Sequence, residues 1–206
     1  MADALAERAL RRLSLLPPEN AFDGTLPARA GDHVLNAELS NSKARPAAVL
    51  VPVVAHRDGA TVLLTQRAAA LRDHSGQIAF PGGKIDAADA SPLAAALREA
   101  EEEIGLDARH IEPLGWLDPY QTGTGYRILP LLARVTPGFS LRIDPREVDA
   151  AFEVPLEFLM NPGNHLRHSR EWAGKERFFY AMPWGERYIW GATAGILRNL
   201  YERLYR

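Results

Sequence analysis

Apolar residues along this chain keep two different rhythms. "AAVLVPVVAH" and "TVLLTQR" are dense, β-branched apolar runs separated by the turn-like "RDGA", which predicts two strands joined in a hairpin closed over Arg57 to Ala60. "GQIAF" is a shorter strand candidate ended by "PGG". From Ser91 to Ile104 the period changes to that of a helix, with Ser91 as N-cap, Pro92 in the first turn and Gly105 as the stop. Strand-like runs follow in "IEPLGWL", "YRILPLLARV", "DAAFEVPL", "RFFYAM" and "RYIWG". A last helix is predicted from about Ala192 to Arg206, with Ile196, Leu197, Leu200 and Leu204 at helical spacing. At the other end, "MADALAERALRRLSLLPPEN" reads as an amphipathic helical extension of about residues 1–20, ended by Pro17 and Pro18 and docked on the body. Several strands with a central and a C-terminal helix predict an α/β fold, a mixed sheet covered by helices. No repeat or low-complexity linker divides the chain, so a single domain over 1–206 is expected.

Composition narrows the chemistry. A formal net charge of −2 offers no general attraction to nucleic acid or anionic membrane, so any polyanion must be recognised locally. The absence of cysteine excludes disulfides, zinc–thiolate sites and thiol nucleophiles, and is compatible with a reducing, cytoplasmic setting. The first segment lacks a long apolar core, and Asp3 and Glu7 count against a transit peptide. No apolar run has the length of a membrane span.

Crowded charge marks one helix. "REAEEEIGL" places Glu99, Glu101, Glu102 and Glu103 close together, and like charges one turn apart destabilise a helix. At about 100° per residue, with Glu99 at zero, Glu102 falls near −60° and Glu103 near +40°, beside an apolar stripe that includes Leu93, Ala96, Ala100 and Ile104. Glu101 lies near 200° and reads as a solvent residue. Arg98, four residues before Glu102, is placed to pair with it. A stripe of three carboxylates without histidine or cysteine suits a hard cation such as Mg²⁺ or Mn²⁺ better than zinc. A solvated acidic face is the plainer alternative.

The segment "FPGGKIDAADASPLAAALREAEEEIGL" resembles the Nudix box, the loop–helix motif of hydrolases that cleave nucleoside diphosphates linked to another group. Gly83 matches its first glycine, and Arg98, Glu99, Ala100, Glu102, Glu103, Gly105 and Leu106 match its second half without a gap. Asp89 stands where the pattern has glutamate, and the spacer from it to Arg98 is one residue longer than the pattern's, which leaves Asp89 without an assigned role. Upstream, "LLTQRAAALRDHSGQIAFPGGK" is similar to the extended signature of the coenzyme A pyrophosphatase branch, and "TGTGYRILP", "EVPLEFL" and "YIWGATAGIL" extend the likeness from about Pro46 onward.

The resemblance implies a Nudix fold, an α/β/α sandwich with a mixed β-sheet. It further implies Mg²⁺- or Mn²⁺-dependent hydrolysis of coenzyme A or its thioesters to 3′,5′-ADP and 4′-phosphopantetheine. Glu99, Glu102 and Glu103 would hold the metal and Arg98 would orient them, while Glu147 would be either a further metal ligand or, as an alternative to Glu102, the base that takes the proton of water. Arg67, Arg72 and His74 are candidate phosphate donors, and Gly82 and Gly83 allow close backbone approach. Each has a plainer reading: Arg67 pairing with a carboxylate, His74 bonding its own loop, the glycines making a turn, Glu147 capping one. The "QTGTGYR" loop suits a pocket or a turn equally, and Trp116, Trp172, Trp184 and Trp190 read as core or rim aromatics. The expected partner is a small-molecule substrate, with no nucleic acid or membrane and a homodimer left open. Two alternatives remain: a Nudix hydrolase of another substrate such as ADP-ribose or a dinucleoside polyphosphate, and a binding module without catalysis.

Overall fold

The structure, a computed structural model, describes residues 2–18, 30–36, 39, 44–172 and 174–206. Its centre is the hairpin of β2 (Arg45–His56) and β3 (Gly59–Arg67). The turn is tighter than the sequence predicts, because Gly59 and Ala60 already pair with His56 and Ala55, leaving Arg57 and Asp58 to close it. Strand β4 (Ile78–Ala79) pairs with β3, and β5 (Gly82–Lys84) pairs antiparallel with the start of β2. β5 corrects the reading of the glycine doublet as turn chemistry: small residues let the backbone lie close enough to pair.

Beyond helix α2 (Pro92–Ile104), β6 (Ile111–Trp116), β7 (Tyr120–Gln121) and β8 (Tyr126–Val135) follow. β8 lies parallel to β2 from Arg45 opposite Tyr126 to Val54 opposite Val135, and β6 and β7 pair antiparallel with β8. β9 (Val148–Pro155) returns to the free side of β3, and β1 (Ala30–Gly31) runs parallel to β7. The sheet is therefore mixed, as expected.

Period-two alternation along β2 sorts its apolar side chains onto two faces. Val49, Val51 and Val53 pack with Leu5 and Ala9 of α1 (Ala2–Arg12) and with Ile196, Leu197 and Leu200 of α4 (Gly191–Leu204). Leu50 and Val54 pack with Ala100 and Ile104 of α2, and Ala48 with Ala95 and Ala96. Each large buried aliphatic contributes about 1.5–3 kcal/mol over its exposed state, so both helical layers are held by the same strand. The result is helix, sheet, helix.

The helix of the N-terminal segment stops at Arg12, short of the prolines expected to end it. Immediately beyond, Ser14 forms a β-bridge to Trp116, whose backbone N–H donates to Ser14 O at 2.9 Å, so sheet pairing displaces further helix. Arg12 and Arg203 each donate to the other's backbone carbonyl, at 3.1 and 3.0 Å, tying α1 to α4. Residues 1, 19 and 20 of the expected extension lie outside the described residues. Among the described residues no helix is long and apolar enough to cross a membrane.

After the short helix α3 (Leu156–Leu159), a separate antiparallel sheet forms from β10 (Leu166–Trp172), β11 (Lys175–Trp184) and β12 (Arg187–Trp190). β10 has no counterpart in the hydrophobic pattern. It is an edge strand, exposed along most of its length, so no alternation is imposed on it.

Candidate functional site

Helix α2 is bounded by local chemistry. Ser91 Oγ accepts from Ala94 N–H at 3.1 Å, Pro92 opens the first turn, and Gly105 at φ 66° donates back to Glu101 O at 2.8 Å. Packing of Ala96, Ala100 and Ile104 on the sheet then orients the acidic stripe. Glu103 is driven inward to 3% exposure, while Glu101 is exposed, as its helical angle predicts. Glu102 is mostly exposed.

Glu103 accepts the Gly82 N–H at 3.1 Å and lies 3.8 Å from Arg67 Nη1. Burial pushes its carboxyl up to about 7; the Gly82 N–H and Arg67 oppose this, and the charges of Glu99 and Glu147 add to it. Glu99 is raised as well, by burial first, with Arg98 opposing and Glu102 and Glu147 adding. These two carboxylates thus sit in a place short of positive charge.

Arg98 organises the outer side of the stripe. Its Nη1 donates to Glu99 at 3.0 Å and to Glu102 at 2.8 Å, the second being the pair expected from spacing. Its Nε and Nη2 donate to the two oxygens of Asp89, both at 2.9 Å. That fork holds the Asp89 carboxyl down at about 2, and it gives Asp89 a definite job that its altered spacing concealed. Asp89 also accepts from Asp86 N–H at 2.8 Å, which fixes the loop before the helix.

Two adjacent glycines face different neighbours. A Cβ on Gly82, where φ is 148°, would sit 2.5 Å from Ala48 O and 2.5 Å from Val49 Cα. A Cβ on Gly83 would instead meet the Glu99 carboxylate, 2.5 Å from its Cδ. Gly82→Ala is therefore expected to lower the melting temperature, since backbone cannot give way. Gly83→Ala is expected to keep the fold, because a flexible side chain can move, and to cut kcat by displacing Glu99. Thermal unfolding and initial rates of the two variants check this; equal melting temperatures would sink it.

The loop from Ala68 to Gly76 carries the other candidates. Its base is closed by Arg67 N–H to Gln77 O at 2.9 Å and Gly76 N–H to Arg67 O at 3.1 Å. Ala68 N–H donates to Glu147 O at 2.9 Å, which brings the Glu147 segment beside Arg67. His74, at φ 58°, lies 3.0 Å through Nδ1 from Gln77 Oε1, so it bonds its own loop. Arg72 is exposed. Glu99, Glu102, Glu103, Glu147, Arg98, Arg67, Gly82 and Gly83 are thus brought into one neighbourhood, while Arg72 and His74 stand on the adjoining loop.

Among the described residues, no three carboxylate or imidazole groups are gathered as a metal cluster, since Arg98 holds Glu99 and Glu102 while Gly82 holds Glu103. The donor set is nonetheless all oxygen, partly buried and under-neutralised, which fits a hard divalent cation by chemistry.

The NUDIX domain family matches residues 44–177, a span that holds the whole of this site. The chain belongs to the Nudix family. Over 167 residues it is 42% identical to the uncharacterized Nudix hydrolase NudL of Escherichia coli strain K12, covering 81% of this chain and 85% of that protein. The same figures hold for NudL of Shigella boydii. A MutT/nudix family protein from Enterococcus faecalis superposes with a TM-score of 0.53 at 19% identity, covering 79% of this chain and 62% of that one, a likeness of fold alone. As a Nudix hydrolase the chain acts on the diphosphate bond of a nucleoside diphosphate derivative, a small-molecule reaction for which the family uses divalent metal ions.

Proposed function

We propose that this Nudix hydrolase cleaves the diphosphate of coenzyme A or its thioesters, releasing 3′,5′-ADP and 4′-phosphopantetheine or its acyl form. The observation that carries the reading is Arg67, which belongs to the extended signature and faces the carboxylates. Its Nε is buried and has no hydrogen-bond partner among the described residues, while Nη1 lies 3.8 Å from Glu103. A buried guanidinium donor without an acceptor is costly, and a phosphate oxygen is the acceptor that suits its geometry.

Glu99, Glu103 and Glu102 would hold Mg²⁺ or Mn²⁺, which when bound neutralises the diphosphate and lowers the pKa of water. The residues of the chain do the rest. Arg98, itself pinned by Asp89, orients Glu99 and Glu102. Water oxygen bonds to one phosphorus, the bridging P–O bond breaks, and the water's proton passes to Glu102 or Glu147. Arg67 steadies the charge on the phosphates. Positioning and charge neutralisation dominate because phosphoryl transfer needs little covalent chemistry from the protein.

Incubation with coenzyme A and Mg²⁺ or Mn²⁺, with products identified by mass spectrometry, tests the reading. 3′,5′-ADP and 4′-phosphopantetheine are the expected products. Faster turnover of ADP-ribose or a dinucleoside tetraphosphate with coenzyme A untouched would overturn it. Arg72→Ala is expected to raise KM for coenzyme A about tenfold, the loss of roughly 1.4 kcal/mol of binding, with kcat nearly constant. If its partner is the ribose phosphate, dephospho-coenzyme A shows a smaller penalty. An unchanged KM returns Arg72 to the plain surface.

A further inference from the structure

Strand β10 leaves one long edge of the small sheet open. Its pairing with β11 runs from Leu166 opposite Ala181 to Trp172 opposite Lys175 without a bulge, and the strand contains no proline, so neither common interruption blunts its other side. Which backbone groups face outward follows from β11. Asn36 Nδ2 donates to Phe178 O, and Asn36 Oδ1 accepts from Phe178 N–H, both at 2.9 Å. Phe178 therefore turns both of its backbone groups away from β10, and its pair with Ser169 is one that exchanges no hydrogen bonds. By alternation, the N–H and C=O of Arg167, Ser169 and Glu171 all point to the open side. The side chains of this edge are exposed too, Leu166 at 40% and Trp172 at 61%, one at each end of the strand. Within the chain, Glu171 stands opposite Glu176, a like-charge pair that a cation on the open side would relieve.

We propose that β10 is the interface for a second copy of this chain, the two strands pairing antiparallel about a two-fold axis at Ser169. That axis sets Arg167 opposite Glu171 twice over, and Leu166 opposite Trp172 twice over, so charges are complementary and both apolar ends are covered. Arg167, Ser169 and Glu171 are also the residues whose backbone groups face outward, so each exchanges two hydrogen bonds with the residue it meets. His168 faces Arg170 in the same register, its imidazole stacked on Tyr188 and its Nδ1 2.7 Å from the Tyr188 hydroxyl. Sliding one strand by two residues is the smallest step that keeps outward groups opposed. It centres the pair on His168 or on Arg170, sets Arg170 against Leu166 or against itself, and leaves strand ends unpaired. The side chains thus reject the neighbouring registers as well as favouring this one. An unrelated extended peptide would gain the backbone bonds but not the reciprocal pairs, so the occupant is a second copy. The two small sheets then become one, with β10 of each chain at its centre.

Sedimentation velocity of the full chain over a range of concentrations tests the pairing, and wild type is expected to move from monomer to dimer as concentration rises. Arg167→Glu alone and Glu171→Arg alone are each expected to raise the dissociation constant at least about tenfold, because each sets like charges opposite at two symmetric positions. The double variant, which exchanges the two charges, is expected to dimerise as wild type does. Far-UV circular dichroism confirms that the variants fold, and both residues are exposed. Hydrogen exchange places the seam: the amides of Arg167, Ser169 and Glu171 are expected to be protected in the dimer and to exchange freely on dilution. A monomeric wild type, single variants that dimerise as tightly as wild type, or a double variant that stays monomeric would overturn the pairing. Protection of those three amides in a monomer would assign the edge to another segment of this chain and overturn it as well.

Discussion

Glu103→Gln is expected to lower kcat by more than about a hundredfold while Glu101→Gln, two residues away, leaves it nearly untouched. The substitution is isosteric and keeps a carbonyl oxygen that accepts the Gly82 N–H, so the local backbone has no reason to move. What disappears is the negative charge in a buried place that faces Arg67 and Glu99. Losing a group that holds a cation directly exceeds the roughly 10–100-fold cost of losing a group that only supports one. Glu101 points to solvent and serves as the control for helix charge. Rates at saturating metal check the pair, and equal losses in both variants would falsify the placement of the metal on the inner carboxylates.

The same substitution is expected to make the metal-free protein more stable at pH 8, by about 3 kcal/mol. The carboxyl of Glu103 moves from an ordinary value of 4.5 to about 7 on folding, and each unit corresponds to roughly 1.4 kcal/mol. A carboxyl raised in this way favours the folded state fully below pH 4.5, where it is protonated in both states. That advantage is lost as pH rises toward 7, and above 7 the folded protein bears the whole cost of the buried charge. Glu99 shifts in the same direction. Wild type without metal should therefore lose stability between pH 5 and 8, whereas Glu103→Gln should lose less. For a chain of this size the difference corresponds to roughly 6–12 °C in melting temperature. A wild-type profile that is flat across that window would show that Glu103 carries no such cost.

These two results together separate what residues 98–106 make legible from what they hide. Helical angle alone puts Glu101 outside and Glu99, Glu102 and Glu103 on one stripe, and the caps at Ser91 and Gly105 follow from local chemistry. Angle cannot say which flank of the stripe the sheet will cover, so the burial of Glu103 and the exposure of Glu102 emerge only from the packing of Ala96, Ala100 and Ile104. Asp89 was obscured for another reason: motif spacing counts residues along the chain, whereas its fork with Arg98 depends on how the intervening loop folds back. The strands β2, β3, β8 and β9 were plain because burial on one or both faces leaves a periodic or continuous apolar record. β5 and β10 left none. β5 pairs through glycine backbone and β10 has only one neighbour, so neither needs apolar side chains to be a strand.

The parallel pairing of β2 with β8 bears on how the protein is made. As the ribosome releases the chain, the end of β2 from Val53 to His56 can meet β3 at once through a two-residue turn and Ala47 to Val49 meet β5 soon after, but the strand's other edge stays open until Tyr126 to Val135 have emerged. During that interval an almost wholly apolar strand has an unsatisfied edge, the kind of surface that recruits identical strands from neighbouring nascent chains. Variants that slow the arrival or docking of β8 are thus expected to reveal themselves in cells as a drop in soluble yield, and purified survivors would still show normal specific activity.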